Sequence, residues 1–220
     1  MMPALKSALK WGVGTLNRPI ALRRLQRTIS QTPEPFRIEV GGHRFTRPGW
    51  ISTDNGWRTP HFMDATAAWP FPSGCAELVY SDNVIEHIPM EGNRRLFREA
   101  HRVLGPGGRI RLATPDVRRL AHLYVSGSSE ADWHVEEIRT KGYEAHHHVD
   151  LLRVVFQEAG HHVGYLWDFE SLSTELRDAG FTDIARFESG LSDTPALGRL
   201  ERRVDRPSSP IMLVVEALRP

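Results

Sequence analysis

A chain of 220 residues with a formal net charge of +1 has room for one α/β domain with insertions, is too short for two large domains, and has no global electrostatic pull toward nucleic acid. A single cysteine, Cys75, excludes an intrachain disulfide and a cysteine-built zinc site, as expected for a protein of the reducing cytoplasm. No stretch has the length and apolarity of a transmembrane helix.

The chain opens on a cationic segment with Lys6, Lys10, Arg18, Arg23, Arg24 and Arg27, and no acidic residue before Glu34. Leu5, Leu9, Trp11, Val13 and Leu16, then Ile20, Leu22 and Leu25, supply apolar content for one or two short amphipathic helices broken at Asn17-Arg18-Pro19. Residues 1–35 read as a basic helical extension that packs on the domain, lids its crevice, or makes a peripheral contact with an anionic membrane surface. A cleaved targeting peptide fits least, and a secretory signal is disfavoured because Arg23, Arg24 and Arg27 interrupt any apolar core. Gly12-Val13-Gly14 is no dinucleotide fingerprint, because no strand precedes it.

Phe36, Ile38 and Val40 alternate with polar residues as a first strand that ends at Gly41-Gly42-His43. Pro48-Gly49-Trp50 turns into a second strand ending at Asp54, and His61-Phe62-Met63-Asp64 supplies a third strand end. Either Asp accepts ribose hydroxyls in such a place or forms a turn. From Leu78 to Asp116 the pattern is a β-α-β unit. Leu78, Val79 and Tyr80 form a strand that stops at Ser81-Asp82-Asn83. A helix from Glu91 follows, with Leu96, Phe97, Ala100, Val103 and Leu104 on its apolar face. Gly105-Pro106-Gly107-Gly108 caps it, and a strand through Ile110 and Leu112 halts at Thr114-Pro115-Asp116. A right-handed parallel crossover puts both polar strand ends on one crevice, the usual ligand position in an open α/β sheet.

These positions fall in order at successive strand ends, and here the sequence resembles the class I S-adenosylmethionine-dependent methyltransferases, in particular the small bacterial methyltransferase type 11-like branch. The resemblance rests on Gly41-Gly42, Pro48-Gly49-Trp50, Asp54, Pro70-Phe71-Pro72, Glu86-His87 and the run from Arg102 to Gly108. It resumes at Gly160-His161 and at Tyr165-Leu166-Trp167-Asp168. It implies a Rossmann-like, seven-stranded, mostly parallel sheet with an antiparallel last strand and helices on both faces, occupying residues 36–220. It also implies S-adenosyl-L-methionine as cofactor, with Gly41, Gly42 and His43 at the methionine part, Asp54 on the ribose and Asp64 at the adenine. Ser81, Asp82 and Asn83 complete that site. Family members usually carry Gly-x-Gly where this chain has Gly41-Gly42-His43.

Between Val117 and Tyr165 the pattern is helical, with one stripe at Val117, Leu120, Ala121 and Tyr124 and another at Leu151, Val154 and Val155. This insertion, at about 117–165, is the expected seat of substrate selection. Its His146-His147-His148 and His161-His162 runs lack metal-ligand spacing, so no metal is assigned. Leu172, Leu176 and Ala179 form a helix capped at Gly180, and strands at Ile184–Phe187 and Ile211–Val215 close the sheet. Arg199, Arg202, Arg203 and Arg206 lie in a connection expected to stay outside it as a solvated face.

The expected activity is O-methylation of a small-molecule or sugar-containing acceptor, with His87, His161 and Asp116 as candidate general bases. A rival reading, a methyltransferase-fold binding module without turnover, is motivated by His43. A nicotinamide oxidoreductase fits worst, since the Gly-x-Gly-x-x-Gly turn is missing.

Overall fold

The computed structural model describes the backbone of residues 3–43, 47–201 and 211–220, and side chains from residue 17 onward. The faces of Leu5, Leu9, Trp11, Val13 and Leu16 therefore lie outside the described side chains, as do Arg202, Arg203 and Arg206. No helix among the described residues is long and apolar enough to cross a membrane.

The first helix, α1 (Pro3–Gln31), is continuous and carries Pro19 inside it, where a break was expected. Proline there forfeits one backbone hydrogen bond, but neighbours hold both sides. Asn17 Nδ2 donates to the carbonyls of Trp57 and Thr59, and the Arg18 guanidinium sits 4.4 Å from the Phe62 ring centroid. Ala21 and Leu25 are fully buried, so tertiary packing overrides the local signal.

Among the described residues six strands follow: β1 (Phe36–Val40), β2 (Ile51–Thr53), β3 (Ala76–Asp82), β4 (Leu104–Pro115), β5 (Thr182–Phe187) and β6 (Met212–Leu218). Their order is β2-β1-β3-β4-β6-β5, parallel except for β6, which runs antiparallel to both neighbours. The expected antiparallel last strand is present, but among the described residues the sheet has six strands, not seven. The stretch His61–Asp64 contributes only an isolated bridge between Asp54 and Phe62. Pro60 has no N–H to extend a ladder, and Asn17 has taken the Trp57 and Thr59 carbonyls.

Helix α2 (Met90–Val103) buries Asn93, Leu96, Phe97, Ala100 and Val103 on one face. It does not end in a glycine cap as expected. Leu104 turns directly to extended backbone (φ −65°, ψ 138°) and begins β4. Of the following glycines, Gly107 takes positive φ (79°) and its N–H donates to the Arg219 carbonyl at 2.9 Å. The main core joins Leu25 of α1, Phe97 of α2 and Leu172 of α6 (Phe169–Asp178) to Val79, Ile110 and Val215 of the sheet.

The pleat sends Tyr80 and Arg111 to the opposite face. There the covering element is the connection after β5, with Leu197, Leu200 and Glu201 buried. That segment was expected outside the sheet. Arg111, fully buried, donates through Nε to Glu201 at 2.6 Å and through Nη1 to Glu216 at 2.5 Å, fastening the connection to the sheet centre.

The insertion comprises α3 (Val117–Ser126), α4 (Ser129–Thr140) and α5 (Asp150–Arg153), the last continuing as a π-helical turn through Glu158. In α3 the inward positions are Leu120 and Leu123, while Ala121 and Tyr124 face out, a correction to the expected stripe. In α5 and its π turn, Leu151 and Val154 are buried as expected.

Candidate active site at the strand ends

Two adjoining cavities open at the carboxyl ends of β1 to β4. The first, of about 300 Å³, is lined by Gly41, Asp54, Asp64, Asn83, Val84 and His87, among others. Gly41 has φ +78°, and a Cβ there would lie 2.1 Å from Val84 Cγ2, so the chain can pass only without a side chain. The Gly41 and Gly42 N–H groups both donate to the Thr53 carbonyl at 2.9 Å, tying the loop to the end of β2. Gly42 does not line the cavity; its backbone packs on Ser52 and Glu39. His43 is exposed with φ 55°, lies outside the lining, and donates its N–H to Asp54 Oδ2 at 3.0 Å.

Asp54 Oδ1 accepts the Gly56 N–H at 2.5 Å, and Asp64 Oδ1 accepts from the backbone and hydroxyl of Thr66 at 2.9 and 2.8 Å. A carboxylate has about four acceptor positions, so each of these turns leaves capacity toward the cavity. Ser81 and Asp82 are buried behind the lining, where Asp82 Oδ1 accepts from Asn83 Nδ2 at 2.5 Å. Asn83, in the left-handed region at φ 56°, reaches the cavity itself. A glycine-pinched backbone with one acidic acceptor at the end of β2 and a second on the following loop suits a nucleoside-bearing ligand.

The second cavity, of about 430 Å³, has walls from Leu120, Ile138, Leu151, Val154 and Met212. Its polar groups are Asn83, His87, His134, Glu137, Lys141, Tyr143 and His161. Lys141 Nζ and Glu137 Oε1 pair at 2.5 Å, and burial holds the His134 imidazole below its ordinary pKa. Asn83 and His87 line both cavities.

At that junction the 3-10 turn Ile85–His87 meets the 3-10 turn His161–Val163. Asn93 Nδ2 holds the first turn by donating to the Ile85 and Ile88 carbonyls at 2.8 and 2.7 Å, and Trp167 Nε1 adds a bond to Ile85 at 3.4 Å. The rings of His87 and His161 meet edge to face with centroids 4.6 Å apart, and His161 Nε2 lies 3.9 Å from Glu86 Oε1. Burial lowers the His87 pKa, opposed by its hydrogen bond to the backbone of Gly160. Asp116 lines neither cavity. It caps α3, with Oδ1 accepting from the Arg118 and Arg119 N–H groups and Oδ2 paired with Arg186 at 2.8 Å.

Sequence reasoning missed Val84 as the partner of Gly41, Gly164 behind the second turn, and Asn93. Asn93 had a readable signal: a polar residue on the apolar stripe of an amphipathic helix needs buried partners. His134, Glu137 and Lys141 carry the spacing of an ordinary solvated helix and had none.

Residues 18–112 match the family model described as a methyltransferase domain. Among solved structures, a chain of a methyltransferase–activator complex from Haloferax volcanii is similar over 95% of this chain and 94% of its own, at 14% identity and a TM-score of 0.50. A Thermotoga maritima S-adenosylmethionine-dependent methyltransferase matches over 99% and 96% at 14% identity, TM-score 0.46. The Haemonchus contortus phosphoethanolamine N-methyltransferase 2 matches at 15% identity, TM-score 0.49, and this chain spans only 52% of it. No curated protein sequence matches. The sheet order and these likenesses define the fold: a Rossmann-like methyltransferase fold. Residues 18–112, a little under half of the chain, are similar to that methyltransferase domain.

Proposed function

We propose that the cavity between Gly41, Asp54, Asp64 and Asn83 holds S-adenosylmethionine, and that the domain transfers its methyl group to a hydroxyl of a small acceptor in the adjoining cavity. One observation carries this reading: Asn83 and His87 line both cavities, so an acceptor in one reaches a methyl donor in the other. Backbone at Gly41 faces the methionine part, Asp54 accepts from the ribose hydroxyls, and Asp64 faces the adenine. The sulfonium is already an activated leaving group, so the chain's task is to align oxygen, methyl and sulfur. His87 and His161 orient the acceptor hydroxyl at the junction. The apolar walls suit a ring or short hydrocarbon body, and the Glu137, Lys141 and Tyr143 side suits further hydroxyls, including those of a sugar.

A mass-spectrometric screen of hydroxylated aromatic and glycosidic acceptors, reading S-adenosylhomocysteine release, tests the reading. Acceptor-dependent release is expected, and Ile138→Trp, which fills the acceptor cavity, should raise KM without changing S-adenosylhomocysteine affinity. Cofactor binding with no product from any acceptor class would favour the binding-module reading.

Two variants test the cofactor side. Asp54→Ala should weaken S-adenosylhomocysteine binding by about 5- to 150-fold, since losing partners of buried groups costs about 1 to 3 kcal/mol. Unchanged affinity in calorimetry would remove Asp54 from the site. His43→Gly should leave that affinity within about twofold and raise the melting temperature slightly, because φ 55° favours glycine over a side chain. A large loss of binding in a folded His43→Gly protein would make the imidazole a cofactor contact.

A further inference from the structure

Glu86, His87 and His161 each bring one ligand atom to a cluster whose three atoms all lie within 4.8 Å of one another. We propose that this cluster is a binding site for one divalent transition-metal ion that activates the acceptor hydroxyl. Its catalytic use rests on the methyl-transfer reading above; the binding of the ion does not.

The donor set is the first reason. Two imidazoles and one carboxylate form a three-ligand set that leaves coordination positions open, and the two nitrogens favour a zinc-, manganese- or iron-type ion over magnesium or calcium. Geometry is the second. Ligand atoms about 2.1 Å from a tetrahedral ion are separated by about 3.4 Å. The 3.9 Å between Glu86 Oε1 and His161 Nε2 closes to that value by a small side-chain adjustment. Support around the ligands is the third. Thr114 Oγ1 donates to Glu86 Oε2 at 3.1 Å, and the His87 imidazole is hydrogen-bonded to the backbone of Gly160, the outer arrangement that orients metal ligands. Both turns are also fixed from behind, by Asn93 under Glu86 and by the close approach of Gly164 to the Glu86 carbonyl.

Position makes the site useful. His161 lines the acceptor cavity and His87 lines both cavities, so the open positions of the ion face the acceptor next to the methyl donor. A hydroxyl brought to the ion loses its proton to water more readily. Its oxygen lone pair then forms the O–C bond as the C–S bond breaks, with the electron pair remaining on sulfur and the ion unchanged in oxidation state. His146, His147 and His148 form a separate surface group beside Asp132 and Glu136, and they serve as the internal control.

The test uses the full chain after chelator treatment, titrated with ZnCl2 and MnCl2 by calorimetry and, for Mn2+, by electron paramagnetic resonance. One ion per chain is expected, with affinity reduced at least about 100-fold in Glu86→Gln and in His161→Ala and unchanged in His147→Ala. The Co2+-loaded parent protein, which needs no variant to fold, should show an absorption and X-ray scattering signature of two imidazole ligands. Absence of stoichiometric binding, binding that survives both ligand variants, or a cobalt shell without two imidazoles overturns the proposal. A bound ion with no methyl transfer to any acceptor would refute the proposed function and leave this site standing. Turnover by a protein that binds no ion would do the reverse.

Discussion

Gly164→Ala is expected to reduce methyl transfer by about 100-fold, because a misplacement near 1 Å at a reacting centre has an effect of that order. A Cβ on Gly164 would lie 1.9 Å from the Glu86 carbonyl oxygen and 2.6 Å from its carbon. Both obstacles are backbone, so no rotamer change relieves the clash. The turn carrying His161 must withdraw from the turn carrying Glu86 and His87. Overpacking of this kind also destabilises by about 1 to 3 kcal/mol. The cofactor cavity is pinned by Gly41, Val84 and the end of β2, so S-adenosylhomocysteine affinity should change little. Parent-like turnover in a folded Gly164→Ala protein would show that the two turns need not touch.

The largest expected loss of stability is at Arg111. Removing one partner of a buried charged group is destabilising by about 3 to 5 kcal/mol, because the remaining charge stays buried without its counterpart. Arg111→Met strands two carboxylates, Glu201 and Glu216, both buried at the sheet centre. For a chain of this size each kcal/mol lowers the melting temperature by about 2 to 4 °C, which gives a fall of roughly 6 to 20 °C. Adding Glu201→Gln and Glu216→Gln to Arg111→Met should recover part of it. A melting temperature unchanged in Arg111→Met would mean that the triad is not formed in solution.

What was legible in the sequence was local. The apolar stripe Leu96, Phe97, Ala100 and Val103 gave α2, and the order of Gly41, Asp54, Asn83 and Pro115 along the chain gave the strand ends that meet at the two cavities, whereas Asp64 reaches the first cavity from a loop and not from a strand. The Gly180 cap of α6 was also readable, with Phe181 N–H closing on the Leu176 carbonyl at 3.1 Å. What escaped was decided by contacts between distant segments. Pro19 reads as a helix break, but Asn17 and Arg18 anchor the continuous helix on residues 57–62. Nothing near Arg111 in the chain announces its partners Glu201 and Glu216, which lie 90 and 105 residues away. The sequence groups His161 with His87 as a candidate base, but nothing in its spacing announces that Glu86 joins the two. Asp116 showed the converse: a carboxylate at a strand end proved to be a helix cap.

The most direct test of the central claim is a crystal structure of the protein with S-adenosylhomocysteine. The account predicts the ligand in the cavity lined by Gly41, Asp54, Asp64 and Asn83, with the ribose hydroxyls on Asp54 and the sulfur directed toward Asn83 and His87. Density for the nucleoside in the cavity lined by Ile138, Lys141 and Tyr143, or a ribose with no hydrogen bond to Asp54, would contradict it.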